Sequence, residues 1–283
     1  MPSFDLHQHL WPEAFISALS RRSARPRLRG RMLELDEGTF ETELDEHRPE
    51  RRLALLDRDG IEVAVVSLQP TLGADDISEL VDAYHGGIRE VVAAGGGRLR
   101  ALAVGECLDG FAGASVSARA VIQELDGMAP LLRGLEDRRQ FLFVHPGTTS
   151  PPGDLPAWWP SVVDYTAEMQ AAYVAWLARG AEAYPRLRVV FAILAGGGPI
   201  QLERLRSRGV DVRTMLHANV FLDTASYGRR ALELCLSTYG VGRLVYGSDL
   251  PVIDSRPTLH AVHEFGDAVT DAICTENPTR LLE

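Results

Sequence analysis

The chain has 283 residues, 46% hydrophobic and 24% charged, which is the size and composition of one (β/α)8 barrel or a comparable single α/β domain. Its net charge of −10 leaves no general basic face for a nucleic-acid partner. All 29 basic residues are arginine, so the sequence excludes a Schiff-base lysine, a pyridoxal-phosphate enzyme, a Walker P-loop and a metal pair bridged by a carboxylated lysine.

Residues 4–10, Phe4-Asp5-Leu6-His7-Gln8-His9-Leu10, read as a first strand. The arginine-rich stretch 21–31 reads as a solvated loop, and 31–44 as a small hairpin turning at Asp36-Glu37-Gly38. A helix is predicted over 49–58, opening with Pro and stopping before Asp59-Gly60. Continuous apolar runs at 61–68, 99–104, 141–144, 188–194, 220–224 and 244–246 predict buried parallel strands, and 111–117 is a weaker eighth strand. Helical patterns fall at 76–94, 121–139, 165–183, 199–208 and 229–239. The alternation predicts one (β/α)8 barrel spanning residues 1–283, with an open doubly wound sheet as the second choice.

One connection breaks the pattern. Only about half a dozen residues separate the strand at 99–104 from 111–117, and a helical crossover needs about a dozen or more. Either this return is bare and extended, or the fourth strand is misplaced. Two excursions, 21–47 and 147–161, are long enough to gather over the C-terminal face of a barrel, where active sites lie.

Successive side chains of a strand alternate faces, so His7 and His9 present two imidazoles on one surface. His145 ends the run Phe141-Leu142-Phe143-Val144. Asp249 stands at the tip of the last strand, and Gly247 before it permits close backbone approach. Each has a bland alternative: a loop histidine, a helix cap. Together they place three imidazoles and one carboxylate at C-terminal strand tips, a set suited to one divalent cation, Zn2+ first.

These residues resemble the amidohydrolase-2 group of the amidohydrolase superfamily, which includes aminocarboxymuconate-semialdehyde decarboxylase. The resemblance covers nearly the whole chain and is carried by Asp5-Leu6-His7-Gln8-His9, Glu50-Arg51 through Gly60-Ile61, Phe143-Val144-His145-Pro146, Gly196-Gly197-Gly198-Pro199, Leu222-Asp223-Thr224, Tyr246-Gly247-Ser248-Asp249-Leu250-Pro251 and Asn277-Pro278-Thr279-Arg280-Leu281-Leu282. It implies a (β/α)8 barrel with one divalent metal, commonly zinc, ligated by His7, His9, His145 and Asp249. It also implies a histidine at the end of the sixth strand that acts as general base or polarises the substrate. This chain has Leu194 there.

The expected activity is hydrolysis of a small ester, lactone or amide by metal-activated water, with Asp249 moving the proton. Nonoxidative decarboxylation of a small unsaturated or aromatic acid on the same scaffold is the alternative. A metal- or ligand-binding barrel that has lost catalysis is the third reading, motivated by Leu194. Substrate contacts are expected from Trp11, Trp158 and Trp159 near the mouth, from Arg51 as a carboxylate fork, and from Asp223, which could instead cap its loop. His47, His85, His217, His260 and His263 are expected to play no chemical part. The three cysteines, Cys107, Cys235 and Cys274, form no CxxC, and no apolar run reaches membrane length. The expectation is a cytoplasmic protein with a small-molecule substrate, no membrane partner, and room for homo-oligomers.

Overall fold

The computed structural model describes residues 2–150, 153–213 and 216–283. Strand β1 (Phe4–His9) is followed by a three-stranded antiparallel sheet, β2 (Arg27–Arg29), β3 (Met32–Leu35) and β4 (Gly38–Glu41). The remaining strands are β5 (Val63–Ser67), β6 (Leu99–Val104), β7 (Gly113–Ser117), β8 (Phe141–His145), β9 (Val189–Phe191), β10 (Val220–Asp223) and β11 (Leu244–Val245). An eight-stranded parallel sheet runs in the order β1-β5-β6-β7-β8-β9-β10-β11. Its two edges meet: Leu6 N–H donates to Tyr246 O at 2.9 Å, Asp249 N–H to His7 O at 2.8 Å and His9 N–H to Leu250 O at 2.7 Å. Helices lie between most strands. The fold is a (β/α)8 barrel, as the alternation of elements predicts.

Parallel strands covered on both faces carry apolar side chains throughout, which is why β5, β8 and β10 are buried along their whole length. The connection between β6 and β7 is the bare return that the spacing allowed. Residues 105–112 contain no helix, and β7 still pairs in parallel with both β6 and β8. The Gln140 side chain braces this return by donating to Leu108 O at 2.9 Å and Phe111 O at 2.7 Å.

Two local expectations change. The stretch 21–31 is not wholly a solvated loop: it ends in β2, where Arg27 pairs with Glu34 at 2.7 Å across the small sheet. The helical pattern at 121–139 breaks into two helices, Ala118–Gln123 and Ala129–Asp137. Pro151 and Pro152 of the 147–161 excursion lie outside the described residues.

A bulge in β1 sorts its polar residues between faces. Asp5 pairs with Ala64 and Gln8 with Val66, so three steps along β1 match two along β5. Asp5 and Gln8 therefore share one face, while His7 and His9 share the other. Gln8 Nε2 accordingly donates to Asp5 Oδ2 at 2.6 Å.

Candidate metal centre

His7, His9, His145 and Asp249 each offer one ligand atom, and these atoms lie within 4.8 Å of one another. The three imidazoles meet edge to face, with ring centroids 4.9–5.1 Å apart and interplanar angles of 81–87°. Asp249 Oδ1 lies 3.4 Å from His7 Nε2 and 3.1 Å from His9 Nε2. Donors about 2.1 Å from a shared cation stand ~3–4 Å apart, so these separations fit a single ion. Gly247 makes the cluster possible, because a Cβ there would lie 2.7 Å from His7 Cβ and 3.1 Å from Asp223 Cγ. Asp249 adopts φ 63°, a left-handed conformation that Asp tolerates better than most residues.

Each imidazole is oriented from behind. His7 Nδ1 donates to Asp223 Oδ2 at 2.7 Å, with both side chains fully buried. His145 Nδ1 donates to Pro146 O at 2.9 Å. His9 Nδ1 meets Ser67 Oγ at 3.2 Å, and Ser67 turns its own hydrogen to Gln8 O at 3.4 Å. The carboxylate and carbonyl can only accept, so when a ring is neutral its proton sits on Nδ1 and its Nε2 lone pair points into the cluster. His7 Nε2 and His9 Nε2 are only 3.1 Å apart. Two converging lone pairs at that distance repel unless a cation or a proton lies between them, so the donor set suits a bound divalent ion.

Without a metal, the electrostatics favour a second proton on His7, the proton that a cation would displace. Burial opposes a charge on His7, but the carboxylates of Asp223 and Asp249 outweigh it and hold its pKa at about 9. Burial pushes His9 down and His145 well down, which keeps both neutral. Burial also opposes ionisation of Asp249, yet the charge of His7 and the hydrogen bond from His9 prevail and hold its carboxyl below the ordinary value.

Asp223, expected to contact substrate or cap its loop, stands behind His7. It is fully buried; its Oδ2 holds His7, and its Oδ1 accepts from Ile193 N–H at 2.9 Å and Ala225 N–H at 3.0 Å. Its loop-capping role is real, and its larger role is behind His7. Leu194 is 2% exposed and sits in a run of left-handed residues: Ile193, Leu194 and Ala195 have φ of 47–52°, followed by Gly196 and Gly197. Such backbone is strained for non-glycine residues. It is held by Asp223 and by the close approach of Gly196, whose added Cβ would lie 2.1 Å from Thr166 O.

Arg51 is exposed and pairs with Glu46 at 3.0 Å. Arg52 is fully buried and donates to Gln8 Oε1 at 2.7 Å, His9 O at 3.0 Å, Glu46 O at 3.1 Å and Leu250 O at 3.4 Å. Burial lowers its pKa to about 10 and raises that of Asp5 to about 6. Arg52, Gln8 and Asp5 form a buried chain that ties the helix Pro49–Asp59 to β1. Sequence held a signal for this, since Arg52 shares one helix stripe with buried Leu55 and Leu56.

Trp11 is buried, stacks on His47 at 4.2 Å and donates its indole N–H to Gln69 at 2.8 Å. It lines a groove shared with His47 and Arg51 and bordered by the helices Glu13–Arg21 and Ser78–Ala94, and no residue of the metal set lines that groove. Trp158 is exposed, and Trp159 donates to Asp164 at 3.2 Å. Trp11 and Arg51, expected as substrate contacts, are engaged in packing and in an exposed ion pair. Two residues escaped sequence reasoning: Glu37, from the β3–β4 turn, and Tyr165, whose hydroxyl donates to both Glu37 carboxylate oxygens at 2.9 Å. No turn residue carries a sequence signal for such a long-range contact.

A family model described as Amidohydrolase matches residues 4–283. The chain belongs to the amidohydrolase family. No curated protein matches it in sequence. Among solved structures, Metarhizium anisopliae IDCase is similar at 19% identity with a TM-score of 0.81, covering 99% of this chain and 97% of that one. The 2,6-dihydroxybenzoate decarboxylase from Rhizobium is similar at 16% identity and TM-score 0.74, covering 100% and 98%. The 5-carboxyvanillate decarboxylase of Novosphingobium aromaticivorans, solved with manganese, is similar at 16% identity and TM-score 0.70, covering 99% and 96%. At such identities the likeness carries the barrel fold. Among the described residues, no helix of this amidohydrolase is long and apolar enough to cross a membrane.

Proposed function

We propose that this amidohydrolase is a metal-dependent hydrolase of a small ester, lactone or amide. The observation that carries this reading is the convergence of three imidazoles, each with its Nε2 freed by a partner at Nδ1, on an ionised aspartate. A divalent ion held there would polarise a carbonyl and lower the pKa of water towards ~7. His7, His9 and His145 would hold it as neutral ligands. Asp249, whose side chain is 14% exposed, is the member of the set best placed to meet substrate. Its carboxylate takes the proton of the attacking water and returns it to the leaving group. Leu194 has no proton to exchange, so Asp249 carries that transfer alone. Zinc suits a set of three nitrogens and one oxygen; manganese is the alternative, given its presence in the carboxyvanillate decarboxylase.

Nonoxidative decarboxylation is the second reading, favoured because similar structures are named as decarboxylases of aromatic acids. Turnover of zinc- or manganese-loaded protein over esters, lactones, amides and aromatic acids separates the two. Hydrolysis without carbon dioxide release is the expected result, and Asp249→Asn should abolish it while the fold survives. Carbon dioxide release would transfer the assignment to a carboxy-lyase. Metal retention with no turnover would favour a binding barrel. Failure to hold either metal stoichiometrically would sink every enzymatic reading.

A further inference from the structure

Several carboxylates of this chain meet arginines: Glu34 meets Arg27, Glu46 meets Arg51, Asp57 meets Arg98 and Asp126 meets Arg179. Glu37 does not. Its two oxygens accept from Tyr165 Oη at 2.9 Å, and Oε2 also accepts from Thr149 Oγ1 at 3.4 Å. Both partners are neutral hydroxyls, and the charged neighbour that acts on it is another carboxylate, Asp164. Burial raises its pKa above the ordinary value. A partly buried carboxylate without a cation is costly to keep ionised, and a cationic ligand would relieve that cost.

The position of this group matters as much as its chemistry. Glu37 is at the tip of the two-residue turn joining β3 to β4, in the excursion that follows β1. Thr149 lies four residues beyond His145, and Tyr165 opens the helix Tyr165–Ala175 after the same loop. Asp249 is among the charges acting on the Tyr165 hydroxyl. The hairpin thus brings an uncompensated carboxylate to the C-terminal rim of the barrel, on the side of the metal centre.

Resting on the hydrolase reading above, we infer that Glu37 is a specificity-determining residue that receives an ammonium or similar cationic end of the substrate while the carbonyl end reaches His7, His9, His145 and Asp249. Tyr165 and Thr149 position its carboxylate. A substrate whose far end is a carboxylate would meet like charge at the rim. The preferred substrates are therefore small esters or amides bearing a basic group, rather than diacids.

Binding of metal-chelating probes tests this without a known substrate. Three alkyl hydroxamates of equal length, ending in ammonium, methyl or carboxylate, are titrated calorimetrically into manganese-loaded protein. The ammonium probe should bind about tenfold tighter than the methyl probe, and the carboxylate probe weakest. In Glu37→Gln the ammonium probe should lose its advantage over methyl. Equal binding of the three by wild type overturns the inference and leaves the metal reading standing, and this ranking needs no variant to fold. Persistence of the ammonium preference in Glu37→Gln also overturns it. Failure of all three probes to bind overturns the metal reading and the inference with it.

Discussion

Replacing Asp223 by Asn removes one charge from a fully buried site and alters one bond. Asp223 Oδ1 must keep accepting from the amides of Ile193 and Ala225, at 2.9 and 3.0 Å. The new amide nitrogen therefore takes the place of Oδ2, 2.7 Å from His7 Nδ1. Two N–H donors then face each other. His7 escapes by moving its proton to Nε2, which removes the lone pair directed at the cation. Loss of such a supporting carboxylate weakens metal binding about 10–100-fold, or ~1.4–2.7 kcal/mol. The metal-free fold should also lose ~1.5–3 kcal/mol, the contribution of a hydrogen bond to a charged group. Competition with a chromophoric chelator measures the first effect, and urea unfolding of the stripped protein the second. A variant that holds metal within twofold of wild type would show that Asp223 does not set the His7 tautomer.

Four further outcomes follow from the electrostatics and the geometry. In the metal-free chain the pKa of His7 is raised from 6.5 to about 9, so its contribution to stability is complete below 6.5 and is lost as pH rises through about 9. The same proton competes with the cation, so chelator titrations should show metal affinity rising about tenfold per pH unit across that window and levelling above it. Gly247→Ala should cost ~1–3 kcal/mol in urea unfolding, because its Cβ would sit 2.7 Å from His7 Cβ on a fixed strand. Arg52→Met should cost ~3–5 kcal/mol by taking its donors from Gln8 Oε1 and from the carbonyls of His9, Glu46 and Leu250, the last of which keeps only the His9 N–H. Arg51→Ala, at an exposed pair, should change stability by less than ~1 kcal/mol in the same assay.

The sequence by itself determined the barrel and the metal set. Strand identity follows from continuous apolar runs, and the facing of His7 and His9 from the two-residue period of a strand. Both are local properties of the chain. The tips of buried parallel strands share one end of a barrel, so His145 and Asp249 could be placed beside that pair. The length of the β6–β7 connection left two readings, a bare return or a misplaced strand, and the structure has the bare return. Tertiary structure decided what stands behind and above these residues. Asp223 reaches His7 across 216 positions, and a bulge that no residue pattern announces put Asp5 and Gln8 on the face of Arg52. Glu37 meets Tyr165 across 128 positions only because the β3–β4 hairpin folds over the mouth. A turn glutamate and a helix tyrosine are each unremarkable in the sequence. Their meaning lies in a contact between segments whose relative placement depends on the closed barrel, and local periodicity carries no record of it.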